Sequence, residues 1–427
     1  MRFNQLEDWL SWQESLNPKS IDLGLERVAE VWRRLTPPDL SSSIVISIAG
    51  TNGKGSTVAL FEAVLAAAGY STGSYTSPHL LRYNERIRLN RQPLSDVRIM
   101  EAFVAIDQAR GDLPLTYFEF GTLAAVYLFA AEKPDVVLLE VGLGGRLDAV
   151  NIIDADLSLI TSIALDHQDW LGSDLETIGR EKAGIFRRGR PAVFSGRKMP
   201  HSVMEYARAL GSPLYQNGRD FQGLLKEGGA TWNWQAGNRM IPGLPLPALP
   251  GAHQLQNAAG VIMALSLLER KLPLKPEALG LGLQTVTLPG RQQILELHGV
   301  QWLLDVSHNP HAVARLAEYL DAHPVPGRTR AVLGMLRDKD VERVAGLMRD
   351  QVQDWHLAGI DDPRGLNAAE LGQRLAVAGI KGRLHKGVTD AMQEVAGSAM
   401  EGDRVVVFGS FHTVTDALAF LHSKSHH

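Results

Sequence analysis

Apolar and polar positions change period several times along the chain, and each change marks an element. Residues 3–16 and 22–36 carry apolar side chains at helical spacing, with Asp22 placed to cap the second helix and "TPPD" at 36–39 to stop it. Short runs of β-formers then alternate with helix-period segments. The predicted strands are 44–49, 72–76, 135–140 and 157–162, and the predicted helices 55–68, 96–109, 120–131 and 174–186. Strands apolar on both faces and separated by helices predict a parallel sheet covered by helices. Residues 214–251 break this rhythm with short polar–apolar pieces, Trp232, Trp234 and many prolines, and read as hairpins and loops at a domain edge. One long helix, "HQLQNAAGVIMALSLLERK", follows.

From about residue 291 a second alternation begins. Strands "ILELH", "VQWLLDVS", "TRAVLGML", "DWHLAG" and "DRVVVFGS" are separated by helices at 310–322, 339–350, 367–377 and 387–397. A chain of 427 residues exceeds one core of ordinary size. The boundary is therefore expected near 288, giving domains 1–288 and 289–427.

Composition narrows the function classes. A formal net charge of −4 argues against bulk nucleic-acid binding, which usually shows a basic excess. The chain has no cysteine, so neither a disulfide frame nor a thiolate metal site exists. The N-terminus "MRFNQLEDWLSWQESL" lacks an apolar signal region, and no run of eighteen apolar residues suggests a membrane span. A cytoplasmic protein, monomeric, without nucleic-acid or membrane partners, is the expectation.

The candidate chemistry begins at "IVISIAGTNGKGST", where a strand runs into Gly50, Gly53 and Gly55, a lysine and two hydroxyls. A glycine turn that opens a helix aims several backbone N–H groups, and the positive end of the helix dipole, at one point. Such a turn suits phosphates, with Lys54 reaching the outer ones and Ser56 or Thr57 offering a hydroxyl to Mg²⁺. The spacing departs from the usual G-x-x-x-x-G-K-[ST], with Ile48 at the first-glycine position and Gly55 before Ser56. Further on, "DVVLLEVGLGGRLDAVN" ends a strand in Glu140, a reasonable Mg²⁺ ligand beside a phosphate cradle. "SIALDHQDWLG" places His167 past another strand end, where a histidine is more often structural. "TIGREKAGIF" places Lys182 on a helix, where a solvated surface lysine is the commoner case and an unpaired buried ammonium a costly one.

Taken together, "GTNGKGS", "TSPHL…RYNERI", "LLEVGLGGRLDAVN", "LDHQDWLG", "EKAGIF" and "DVSHNPHA" resemble the ATP-dependent amide ligases that add glutamate to folates. These are folylpolyglutamate synthase and the bifunctional bacterial dihydrofolate synthase. The resemblance runs from "PKSIDLGLERV" to the last strand. It implies an α/β fold: an N-terminal P-loop parallel-sheet ATPase domain that also holds the pterin, and a smaller C-terminal Rossmann-like α/β ligase domain. The implied reaction phosphorylates a substrate carboxylate with ATP, and the amine of L-glutamate then displaces phosphate from the acyl phosphate. The implied substrates are dihydropteroate and reduced folates.

The resemblance also assigns residues. Gly53, Lys54, Gly55 and Ser56 hold the ATP phosphates, and Ser77, Glu140 and His167 ligate magnesium, with two ions expected. Lys182 resembles a lysine carboxylated by CO₂. Asn257 resembles an adenine-side residue grouped with the second domain, Arg291 sits at the domain junction, Asp305 resembles an ATP-contacting aspartate, and His308 is a phosphate-side partner. Lys54, Lys182 and His308 are the catalytic candidates. For the pterin, the relevant pieces are Leu23, Gly24 and Leu25, then Thr116, Tyr117, Phe118 and Glu119, with Phe118 and Phe120 as flat walls, and Leu147, Asp148 and Ala149. Two other readings stay open: a Mur-type peptidoglycan ligase, which shares the ATP chemistry but needs a nucleotide-sugar site, and an ATP-driven switch without catalysis.

Overall fold

The strand Ile44–Ala49 is buried almost throughout, as an apolar run with one serine requires of a chain in water. It lies at the centre of the first sheet in the computed structural model, which describes residues 2–19, 21–35 and 39–424. Its parallel neighbours are Val136–Glu140, with Ile48 opposite Glu140, and Leu157–Ile160, with Ala49 opposite Ile160. The parallel set extends outward to Thr72–Tyr75 on one side and to Ala192–Phe194 and Leu214–Gln216 on the other. Because strands leave the central one in both directions, a crevice opens at its carboxyl end, where open α/β sheets bind ligands.

One edge was not legible as strand. Ile87–Leu89 and Gln92–Pro93 form an antiparallel hairpin closed by Asn90 and Arg91, with φ of 50° and 68°. Two consecutive positive-φ residues give the turn whose twist suits a tight hairpin, and Pro93 blunts the outer edge. The segment read as hairpins is a separate antiparallel sheet of Phe221–Leu225, Thr231–Ala236 and Arg239–Pro245.

The first helices lie at Leu6–Leu16 and Glu26–Leu35. Asp22 does not cap the second. Its carboxylate meets Arg27 at 2.7 Å and Lys19 at 3.4 Å, and the helix begins four residues later. The proposed stop at Thr36–Pro38 lies outside the described residues. Phe103 and Phe120 pack edge to face in the core with centroids 5.3 Å apart, and Trp9 lies tilted against Phe103 at 5.9 Å. Phe120 is thus core and not a wall of a binding pocket.

The second large sheet has the order Gln293–Leu297, Val300–Asp305, Arg404–Phe408, Thr329–Leu333, Asp354–Ala358, Arg383–His385, parallel except for the first. Backbone contacts divide the chain into Met1–Ala248 with Gln254–Thr287, and Leu249–His253 with Leu288–His427. Among the described residues no helix is long and apolar enough to cross a membrane.

Candidate functional site

The glycine turn follows directly from the central strand. Gly53 caps the helix Lys54–Ala67 at φ 91°, and Gly50 has φ 148°. At Gly50 no side chain fits, since an ideal Cβ would stand 1.8 Å from Thr161 Oγ1. That hydroxyl donates to the Asn52 carbonyl at 2.6 Å, and the Thr51 N–H donates to the Ser162 carbonyl at 2.7 Å. The loop is stapled to the segment after the neighbouring strand, which continues to Asp166 and His167. Gly50→Ala should therefore cost about 2–4 kcal/mol, from lost staples and an unfavourable φ. A urea titration would check this; a cost below about 0.5 kcal/mol would show that the loop yields easily.

Lys54 begins the helix and folds its ammonium back onto the Gly50 and Thr51 carbonyls at 3.0 and 3.4 Å. Asn257, grouped from the sequence with the second domain, stands in the first unit: a Cβ on Gly53 would meet its Oδ1 at 3.0 Å. Gln254, one helical turn earlier, accepts from Asn257 Nδ2 at 2.9 Å and donates to Ser56 Oγ at 3.4 Å. This bridge was not read from the sequence, although Gln254 and Asn257 share a face at i, i+3. Thr57 is fully buried, and its hydroxyl is without a partner among the described residues.

Glu140 ends its strand buried, and its Oε2 accepts from the Ser77 N–H at 3.2 Å, so two of the expected metal ligands stand together. Carboxylate and hydroxyl oxygens suit a hard cation. His167 caps the short helix Gln168–Leu171 in the left-handed conformation, with its side chain 40% exposed and its Nε2 4.0 Å from Asp166 Oδ1.

Lys182 departs most from the bland expectation. It is 4% exposed on the helix Leu175–Ala183, not solvated. Burial pushes its ammonium down to about 7, and Lys54 lowers it further, against the opposing pull of Asp166 and Asp148. Asp166, largely buried beside it, was not singled out in the sequence. Asp148 itself is raised by burial to about 7, although its oxygens accept from the Leu143 N–H at 2.8 Å and the Val150 N–H at 3.1 Å.

The three pterin segments converge. Arg27, just beyond Leu23, Gly24 and Leu25, pairs with Glu119 Oε1 at 2.9 Å. Glu119 also closes a capping box, accepting from the Thr116 N–H at 2.7 Å, while Thr116 Oγ1 accepts from the Glu119 N–H. Its carboxylate is thereby committed to holding the turn. Phe118 lies against Gly142, whose added Cβ would meet the ring at 2.6 Å, and the adjacent Leu143 N–H holds Asp148. Leu147 is half-buried and Ala149 belongs to the core. Arg86 lies over the Tyr117 ring at 5.4 Å and donates to His79 Nδ1 at 2.8 Å.

In the second unit, Asp305 ends its strand buried, and its two oxygens accept from the Gln292 and Ser307 N–H groups, each at 2.8 Å. Arg291 stacks on the Phe411 ring at 5.1 Å, and His308 Nδ1 lies 3.0 Å from the Val306 carbonyl.

Comparison with known proteins agrees with this chemistry. The description "Mur ligase, glutamate ligase domain" matches residues 290–411. The chain is 42% identical to a dihydrofolate synthase/folylpolyglutamate synthase of Escherichia coli, over 98% of this chain and 96% of the relative. Among solved structures, E. coli FolC in complex with DHPP and ADP superposes with a TM-score of 0.93 at 42% identity, covering 99% of both chains. A bifunctional folylpolyglutamate synthase/dihydrofolate synthase with Mn, AMPPNP and L-glutamate bound gives 0.90 at 45% identity, covering 98% of both.

Proposed function

The chain belongs to the dihydrofolate synthase/folylpolyglutamate synthase family, and on that premise we propose how its residues divide the work of an ATP-dependent carboxylate–amine ligase. The observation that carries the assignment is identity of 42% along nearly the whole of both chains, with five of the six quoted motifs set at a strand end or helix start and "EKAGIF" at a helix end. The substrates are dihydropteroate, giving dihydrofolate, and the glutamate tail of reduced folates.

Phosphoryl transfer to a carboxylate needs positioning and charge neutralisation more than a protein nucleophile. The backbone N–H groups around Gly53 and Gly55, with Ser56, hold the phosphates. Lys54 leaves its loop carbonyls to follow the γ-phosphoryl group. Ser77, Glu140 and His167 would hold the divalent cation, which when bound neutralises phosphate charge. The substrate carboxylate oxygen attacks the γ-phosphorus, ADP leaves, and the glutamate amine then attacks the acyl carbon and expels phosphate. Tyr117 and Phe118, with Asp148 and the Leu23–Leu25 turn, receive the pterin; a carboxyl near pH 7 in its titration can either donate or accept there. Arg291, Asp305 and His308 serve the nucleotide, and Lys182 as a carbamate serves the metal.

The test is glutamate-dependent ADP release, measured separately with dihydropteroate and with tetrahydrofolate. Both are expected to stimulate it. Stimulation by a UDP-muramoyl acceptor instead would favour the Mur-type reading, and slow release indifferent to glutamate would favour a switch.

A further inference from the structure

In the second large sheet, the strand Asp354–Ala358 and the outermost strand Arg383–His385 carry polar side chains on the face covered by the helix Val388–Ser398. Their parallel register sets His356 opposite Arg383 and Ala358 opposite His385, so both histidines project to the same side. His356 is fully buried and His385 is 7% exposed. His356 Nδ1 lies 3.0 Å from His385 Nε2, with the ring planes 20° apart. Each ring turns its other nitrogen toward a carboxylate. His356 Nε2 lies 3.5 Å from Asp354 Oδ2, and His385 Nδ1 lies 3.7 Å from Glu394 Oε2. Arginines hold these carboxylates in place. Arg330 meets Asp354 at 2.9 Å and Asp403 at 3.1 Å, and Arg383 meets Glu394 Oε1 at 2.9 Å. None of these groups takes part in the ligase chemistry above.

Counting protons along this row exposes a conflict. An ionised carboxylate only accepts, so each ring is best placed with its N–H outward, on His356 Nε2 and on His385 Nδ1. The two inner nitrogens then face each other at 3.0 Å as bare lone pairs, and something electron-poor must stand between them. A proton there would make a charged imidazolium in a buried place, and burial already lowers the His356 pKa against the pull of Asp354. A metal ion meets the need with both rings neutral. The outward carboxylates then form the pairs that orient metal-bound histidines and raise their basicity. Tetrahedral coordination at about 2.0–2.1 Å sets two nitrogens roughly 3.3–3.4 Å apart, so the rings need part by only a few tenths of an ångström. Glu394 stands close enough to be a third donor: one ligand atom each from His356, His385 and Glu394 lie within 4.8 Å of one another. The Glu394 side chain is 47% exposed, and the strand bearing His385 is the edge of the sheet, so an ion reaches the inner nitrogens from that side. Imidazole donors favour zinc, nickel or copper over Mg²⁺, which prefers oxygen. The cluster thus differs in kind from the oxygen ligands at Ser77 and Glu140.

We propose that His356 and His385, with Glu394 as third donor, bind a divalent transition metal of the zinc class and tie the last two strands of the sheet to the helix over them. The experiment titrates Zn²⁺ into the full chain carrying His422→Ala, His426→Ala and His427→Ala, which removes capture by the C-terminal histidines. Mg²⁺ is kept in large excess to hold the oxygen-rich site. Equilibrium dialysis with metal analysis should find one zinc per chain at micromolar free zinc. His356→Gln and His385→Gln should each weaken that binding by about 100-fold, and Asp354→Asn and Glu394→Gln by about tenfold. Zinc should raise the melting temperature of the parent chain, because it binds the folded state, and should leave that of His385→Gln unmoved. Affinity should fall as pH drops and the imidazoles take up protons. Circular dichroism without zinc shows which variants are folded. No zinc bound at micromolar concentration, or equal binding by the parent and both histidine variants, overturns the proposal. Should His356→Gln fail to fold, the edge-strand variant His385→Gln and the surface variant Glu394→Gln decide, and unchanged zinc affinity in both overturns it as well.

Discussion

Lys54→Ala should leave a folded protein whose glutamate-dependent ADP release is lower by about 10²–10³-fold in kcat. The magnitude is that of removing one preorganised donor from charge developing in a transition state. The fold should survive because the ammonium's contacts are two carbonyls of its own loop, at 3.0 and 3.4 Å, and the loop is held independently by Thr161 and Ser162. A stability loss of about 1 kcal/mol is expected from those two half-buried bonds. Lys54→Arg should not restore the rate, because a planar guanidinium does not replace a compact point charge in a glycine-lined turn. Steady-state ADP release, with circular dichroism and a thermal melt on the same samples, checks both parts. A folded variant turning over at the wild-type rate would remove Lys54 from the chemistry and with it the phosphate-cradle reading.

How much of this was visible in the sequence depended on whether the determining interactions are local. The cradle was legible because strand, glycines and helix start are contiguous. The parallel sheet was legible because its central strands are uniformly apolar. The edge hairpin at Ile87–Pro93 was missed because its strands are short and its turn uses Asn90 and Arg91, not a glycine. Asp22 looked like a cap by position, yet Arg27, also bonded to Glu119, competes for it. The aromatic pair Phe118 and Phe120 looked equivalent, but neighbours two apart on a helix point to different surroundings. Phe118 reached the Gly142 turn and Phe120 the core. Gln292 carried no signal, because the carboxylate that its backbone N–H grips, Asp305, comes from another part of the chain.

Lys182 separates two physical pictures, and its substitutions should move activity and stability in opposite directions. Its folded-state amine titrates near 7, below the 10.5 of an ordinary lysine. Between those values the unfolded chain binds more protons than the folded one. The unmodified protein therefore gains stability as pH rises from 7 toward 10.5, and at pH 7 and below it bears the full cost of burying an ammonium. Lys182→Met removes that cost and should raise the stability of unmodified protein at pH 6–7 by about 1–3 kcal/mol. If the lysine works as a carbamate, formed when the free amine takes up CO₂ and releases a proton, the same variant should be nearly inactive. Short carboxylates such as acetate or formate should then partly restore Lys182→Ala by supplying an anion in the vacated space. Activity of the wild type should rise with bicarbonate and fall below pH 7, where the amine holds its proton. Lys54 enters this balance, because its positive charge helps keep the Lys182 amine neutral. Lys54→Ala should raise the Lys182 pKa and reduce carbamate occupancy, read as a smaller mass increment of 44 Da (CO₂) by intact-mass measurement under bicarbonate. A Lys182→Met enzyme that is stabilised and fully active would show that the buried lysine is a structural residue, and the ligase assignment would stand without it.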